Sequence, residues 1–251
     1  MDYQMRDSDF VPQAEVVEDF LSDSEIFEIE KAFREYTDLD IQIEFFGKKM
    51  SDAHAGPGKG VEEMSLARSH YWYPGKSIKR WLHDMMNEKI RDLYGPHIQC
   101  KNWHILNAYK PYQIHSDSYD ENDHEATALH REDANYAWTF LIPLEDYPNA
   151  STIVFNETSN FSKVPKNWAA KTGAKPQYSI TDTEYKELFS HESRENVDLF
   201  SIDTVFPWKK GDLLSMGRHA FHCSSNFPAK GVLQKRALIG WSYVEGNVEI
   251  G

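Results

Sequence analysis

The residues with the clearest capacity for chemistry stand in one run, Tyr109-Lys110-Pro111-Tyr112-Gln113-Ile114-His115-Ser116-Asp117, which ends in a His-x-Asp pair. In an extended chain residues i and i+2 share a face, so His115 and Asp117 can address one metal ion. Alone the pair is a weak signal, because the chain holds 11 histidines and 40 acidic residues and offers a rival, His130-x-Glu132. The downstream context strengthens it. Gly211-Asp212 marks a turn, a strand follows, and a second strand carries His222, with His219 as its competitor. Arg236 stands 14 positions beyond His222 (236 − 222) and opens a last strand. Two imidazoles and one carboxylate on one face of Fe(II) leave the other positions open. A 2-oxo acid can chelate there and leave room for O2. The far carboxylate of a dicarboxylate cosubstrate needs a cationic clamp. The planar fork of Arg236 suits that role, and Lys235 takes it if the strand register slips by one. Tyr109 can donate its hydroxyl to the same carboxylate.

The elements that must position these groups follow from periodicity. Ser22 or Ser24 caps a helix running to about Tyr36, with Ile26, Ile29 and Phe33 as its stripe. A second helix runs from about Ser77 to Leu93, with Ile78, Trp81, Leu82, Met85, Ile90 and Leu93 read as core, and Gly95-Pro96 ends it. Short segments rich in aromatic and β-branched residues predict strands at 41–46, 101–109, 136–144, 151–155, 203–206, 212–216, 220–224 and 236–244. Two leading helices followed by many short strands predict an α+β, mainly β protein whose strands close into a sandwich or barrel. One domain spans 1–251, with 1–97 as helical support plus edge strands and 98–251 as the barrel core. The polar stretch 156–202 interrupts the strands and includes a short helix from Thr181 to Phe189. Segments 51–65, 118–134 and 156–202 are long and polar enough to be lids over a mouth, and the last two are expected to cover the site.

Composition removes several function classes. A net charge of −13 disfavours wrapping nucleic acid or lying on an anionic membrane. No apolar run reaches the ~18 residues that span a bilayer. Met1 to Phe10 is too polar for a signal peptide, so a cytoplasmic location is expected. Two cysteines, Cys100 and Cys223, fit free thiols in a reducing compartment and leave a single disulfide open. Aromatic residues at 14% supply the burial of a folded core.

The C-terminal part of the chain resembles the 2-oxoglutarate- and Fe(II)-dependent dioxygenases, closest to the prolyl-hydroxylase-like branch with its compact phage and bacterial members. Four features carry the resemblance in the family's order. Asn107-Ala108-Tyr109 leads into His115-Ser116-Asp117. The strand Trp138 to Leu144 is followed by Ser151-Thr152-Ile153-Val154-Phe155. Gly211-Asp212 precedes His222, and Arg236 opens the last strand. Two positions depart from the family. Asn149-Ala150-Ser151-Thr152 replaces a frequent Gly-Gly-x-Thr turn, and Leu238 stands where many members place Ser or Thr. The resemblance implies a double-stranded β-helix (jelly roll) with supporting N-terminal helices. It implies iron ligands His115, Asp117 and His222, with Arg236 and Tyr109 at the 2-oxoglutarate carboxylate. The implied reaction decarboxylates 2-oxoglutarate to succinate and CO2 and hydroxylates a C–H bond of a small-molecule or peptide substrate, with ascorbate as a helpful reductant. Two other classes stay open: a cupin-type metal enzyme without 2-oxoglutarate, and a non-catalytic jelly-roll binding module. The sequence leaves the oligomeric state and the substrate undefined.

Overall fold

Two antiparallel sheets enclose the centre of the molecule in a computed structural model that describes residues 14–35, 40–45, 48–51, 69–96, 98–117, 136–158 and 180–244. The strands are β1 (Ala14–Val17), β2 (Asp40–Phe45), β3 (Lys48–Ser51), β4 (Ser69–Tyr73), β5 (Ile98–Ala108), β6 (Tyr136–Pro143), β7 (Tyr147–Thr158), β8 (Ile202–Trp208), β9 (Leu213–Gly217), β10 (Ala220–Ser224) and β11 (Lys235–Val244). The major sheet runs β1-β9-β6-β11-β5-β4-β2-β3, and the minor sheet runs β10-β7-β8. This is the expected mainly β jelly roll with leading helices. The eight sequence-predicted strands are present, and β1, β3 and β4 are additional.

Alternation along each strand divides the core in two. Trp103 and Ile105 of β5, Phe140 and Ile142 of β6 and Leu238 of β11 face outward from the major sheet. They are covered there by α1 (Asp23–Glu35) and α2 (Lys76–Tyr94). Leu106, Leu141, Ala237 and Ile239 face inward and meet Val154, Phe206 and Trp208 of the minor sheet. The candidate site lies in this second layer.

Ser22 caps α1 reciprocally. Its Oγ accepts the Glu25 N–H at 3.3 Å, and its own N–H donates to Glu25 Oε2 at 2.8 Å. In α2 the buried stripe is Ile78, Leu82, Met86 and Ile90, spaced by four. Trp81 and Leu93, expected in the core, stand 41% and 46% exposed, because they lie to the side of that stripe. Gly95 ends α2 at φ 95°, a conformation that favours glycine.

The turn before β9 is fixed by a close approach. Gly211 has φ 84°, and a Cβ there would lie 2.4 Å from the Leu21 carbonyl oxygen. Gly211 O in turn accepts the Leu21 N–H at 2.9 Å. The expected short helix appears as α3 (Asp182–Leu188), capped by a Thr181–Glu184 box, and α4 (Arg194–Val197) follows. Phe189, Val197 and Phe200 pack with Ile153, Phe155 and Phe221 on the outer face of the minor sheet. Both cysteines are free and buried, which resolves the disulfide question. Among the described residues no helix is long and apolar enough to cross a membrane.

Candidate metal centre

His115 sits on the segment leaving β5, and His222 in the middle of β10. A two-way backbone bridge joins them: His115 N–H donates to His222 O at 3.0 Å, and His222 N–H to His115 O at 2.8 Å. Their ring centroids are 4.2 Å apart. Each ring is oriented by the carbonyl two residues before it. The Nδ1 of His115 lies 2.7 Å from Gln113 O, and that of His222 lies 3.1 Å from Ala220 O. A carbonyl only accepts, so each Nδ1 carries a proton and Nε2 is the nitrogen left to face a metal. Asp117 completes the group, with Oδ2 3.8 Å from His222 Nε2. One potential ligand atom from each of the three residues lies within 4.8 Å of the others. Thr139 of β6 donates its hydroxyl to Asp117 Oδ2 at 2.5 Å, a partner that sequence reasoning did not single out. His219 stays outside the group and receives Arg218 Nε at 3.1 Å. His130 and Glu132 lie outside the described residues.

The three side chains open on a cavity between the sheets, with Lys235, Trp208 and Tyr112 on its walls. Lys235 is 1% exposed, and its Nζ lies 3.8 Å from the centroid of the Trp208 ring. That ring is held by its own Nε1–H, donated to Thr152 Oγ1 at 2.8 Å. Among the described residues Lys235 Nζ has no hydrogen-bond partner. Burial pulls its pKa down to about 7, against a small opposing contribution from Cys223. On the neighbouring wall the Tyr112 hydroxyl lies 2.5 Å from both Tyr71 Oη and Ser69 Oγ. A buried ammonium with aromatic rings beside it and no hydrogen-bond partner among the described residues has donors to spare for an anion.

Arg236 and Tyr109, expected at the cosubstrate carboxylate, do not line this cavity. Adjacent residues of a strand point to opposite faces, so with Lys235 inward Arg236 faces outward under α1. Its Nη1 donates to Glu30 Oε1 at 2.8 Å and its Nε to Asn107 Oδ1 at 2.9 Å. Tyr109 lies on that side too, edge-on to His70 at 5.1 Å, and burial raises its hydroxyl pKa while Arg236 lowers it. Of the two neighbours weighed as the clamp, Lys235 is the one that lines the cavity, and Tyr71 and Tyr112 line it as well. Their signal was the strand alternation of Ser69–Tyr73 and a tyrosine already inside the key run.

The lid expectations divide. Segments 52–68 and 118–135 lie outside the described residues, as do residues 159–179. The described parts of 156–202 are the end of β7 and residues 180–202, and the latter contribute apolar side chains to a core layer.

No protein-family model matches the sequence, and no curated protein matches it. Solved structures do match. The non-heme alpha-ketoglutarate-dependent epimerase SnoN from nogalamycin biosynthesis superposes with a TM-score of 0.52 at 14% identity, over 92% of this chain and 78% of that one. A 2OG-Fe(II) oxygenase family oxidoreductase from Burkholderia pseudomallei gives 0.48 at 10% identity, over 96% and 92% of the two chains. HygX from Streptomyces hygroscopicus, with nickel and 2-oxoglutarate bound, gives 0.48 at 13%, over 94% and 84%. The first of these shows a shared fold, the double-stranded β-helix. At such identity the likeness reaches no further than the fold.

Proposed function

We propose that the chain is an Fe(II)- and 2-oxoglutarate-dependent oxygenase in which His115, Asp117 and His222 hold the metal and Lys235 receives the far carboxylate of the cosubstrate. The observation that carries this reading is the convergence of two imidazoles and a carboxylate on a cavity that also holds an unpartnered, buried ammonium. The donor set of two nitrogens and one carboxylate oxygen suits Fe(II) with positions left open. The ammonium needs an anion, and a 2-oxo dicarboxylate brings one while its other end can chelate. A metal site without 2-oxoglutarate leaves Lys235 without a purpose. The fold shared with an alpha-ketoglutarate-dependent enzyme agrees.

With iron and 2-oxoglutarate bound, the site would supply O2-dependent oxidation, in which one oxygen atom of O2 goes into succinate as 2-oxoglutarate loses CO2 and the other would go to the substrate. The chain's own residues bind and orient. The two Nδ1–H groups fix both imidazoles, Thr139 holds Asp117, and Lys235 with the Tyr71–Tyr112 hydroxyls fixes the cosubstrate end. The aromatic walls keep that end dry. Our reading of the outcome is hydroxylation of a C–H bond in a small molecule or peptide. The motif order is the ground on which we read the chain within the prolyl-hydroxylase-like branch. Asp117 supports oxygen insertion, since a carboxylate fills the place that halogenating relatives leave for chloride.

The test is anaerobic addition of Fe(II) and 2-oxoglutarate to the purified protein. A weak visible charge-transfer band is expected, absent in His115→Ala and Asp117→Ala. Slow succinate release in air without substrate is expected as well. Absence of both the band and 2-oxoglutarate binding would overturn the assignment.

A further inference from the structure

We propose that Glu192, in the turn between α3 and α4, is a positioning residue for the His115 ligand and acts through the Ile114 amide; the inference rests on the metal reading above. Glu192 is 7% exposed, and a buried carboxylate is costly unless its oxygens are hydrogen-bonded. Its Oε1 accepts the backbone N–H of Ile114 at 2.7 Å, across 78 residues of sequence. Ile114 immediately precedes His115, and its side chain is anchored in the outer cluster with Phe189 and Val197. The bond therefore grips the backbone one residue from the ligand.

The same turn holds the segment at a second point. The Tyr112 carbonyl accepts the Ser224 N–H at 3.2 Å from β10, and His191 Nε2 lies 3.3 Å from it on the other side. The turn is also tied to the exit of β10. Asn226 N–H donates to Leu188 O at 3.0 Å, and its Nδ2 to Ser190 Oγ at 2.8 Å. Residues 188–192 thus clamp the segment carrying His115 against the strand carrying His222. Glu192 is itself held, with its carbonyl accepting the Tyr185 hydroxyl at 2.7 Å and its N–H donating to Phe189 O at 2.8 Å. The described end of the insertion is therefore a buttress of the metal centre. A carboxylate bonding an amide gives a stronger hydrogen bond than a neutral acceptor, and partners that orient metal ligands typically change metal affinity about 10- to 100-fold when removed.

Two variants separate reach from charge. Glu192→Gln keeps an acceptor at the same place and loses the charge. Glu192→Asp keeps the charge and falls one methylene short of the Ile114 amide. Co(II) is the probe, titrated into the full-length apoprotein and followed by its visible d–d band, at temperatures well below each variant's thermal midpoint. Glu192→Asp is expected to weaken Co(II) binding about tenfold and to alter the band, with Glu192→Gln within about threefold of the parent. Parental affinity and band in Glu192→Asp would overturn the proposal. So would a loss in Glu192→Gln equal to that in Glu192→Asp, because charge and not positioning would then be responsible. His115→Ala is the control for the underlying reading. If the parent does not bind Co(II), or His115→Ala binds it equally well, the metal assignment itself fails and this inference with it.

Discussion

His115 and His222, 107 positions apart in the sequence (222 − 115), are joined by two backbone hydrogen bonds running in opposite directions, at 3.0 and 2.8 Å. The pair works as a single rung between the segment leaving β5 and the strand β10. It sets the two imidazoles side by side, so folding itself contributes part of the order that the proposed coordination needs. Asp117, the third proposed ligand, is steadied by the Thr139 hydroxyl.

That hydrogen bond makes Thr139 a sensitive position. Thr139→Val keeps the side-chain shape on β6 and removes the donor to Asp117. Metal affinity is expected to fall about tenfold. Thr139→Ser, which keeps the hydroxyl, is expected to stay within about threefold. Mn(II) or Co(II) titration of the apoproteins measures both. Equal affinity in the valine variant would show that Asp117 needs no help from β6.

Lys235 and Arg236 are adjacent on β11 and are expected to fail differently. Lys235→Met should raise the dissociation constant of 2-oxoglutarate at least thirtyfold, about 2 kcal/mol or more, with Co(II) binding unchanged. The same change should raise the thermal midpoint of the apoprotein, because an unpaired buried ammonium is replaced by an apolar chain. Arg236→Ala should leave 2-oxoglutarate affinity within about threefold and cost about 2 kcal/mol of stability through lost bonds to Glu30 and Asn107. Calorimetric titration and denaturant unfolding on both variants decide it. The reversed pattern would restore Arg236 as the clamp.

The parity of this strand was the point at which sequence reasoning stopped. The strands of the barrel were legible because short β-branched and aromatic runs alternate with turn residues such as Gly211-Asp212. The three converging side chains were legible because His-x-Asp and a later His follow in the order that the resemblance implies. On β11, however, Ala237, Leu238, Ile239 and Gly240 give no polar–apolar alternation. One face is buried by the helices and the other by the minor sheet, so both demand apolar residues. Inner and outer then become distinguishable only through partners: Trp208 beneath Lys235, Glu30 beside Arg236. Glu192 had no local signal at all, because its partner amide is distant in sequence.

A packing prediction follows from the helix-facing side of the same strand. A Cβ at Gly240 would lie 2.7 Å from the ring of Trp103, which is fully buried. An indole wedged between sheet and helices cannot withdraw without opening the layer. Gly240→Ala is therefore expected to destabilise the protein by about 1–3 kcal/mol, read as a lower denaturant midpoint. Gly240→Ala with Trp103→Phe should recover part of that loss. An unchanged midpoint in the single variant would mean that β11 can shift to make room.

Lys235 also sets an expected pH dependence, and the direction can be worked out from its depressed pKa. In the folded apoprotein the ammonium titrates near 7, against 10.5 for an unburied lysine. Between those values the unfolded chain binds more protons than the folded one, so apoprotein stability rises with pH across that window. The burden of burying the charge is fully present below pH 7 and disappears above 10.5. Cosubstrate binding has the opposite sign. A carboxylate requires the charged amine, so above pH 7 binding must take up a proton, and affinity for 2-oxoglutarate should fall by up to about tenfold per pH unit. Calorimetric titrations from pH 6.5 to 9, in buffers of different ionisation enthalpy, read the affinity and the proton uptake together. Lys235→Met should bind weakly at every pH with no such uptake. Parental binding without proton uptake at pH 8.5 would show that Lys235 is already charged in the empty cavity, stabilised by groups other than the cosubstrate.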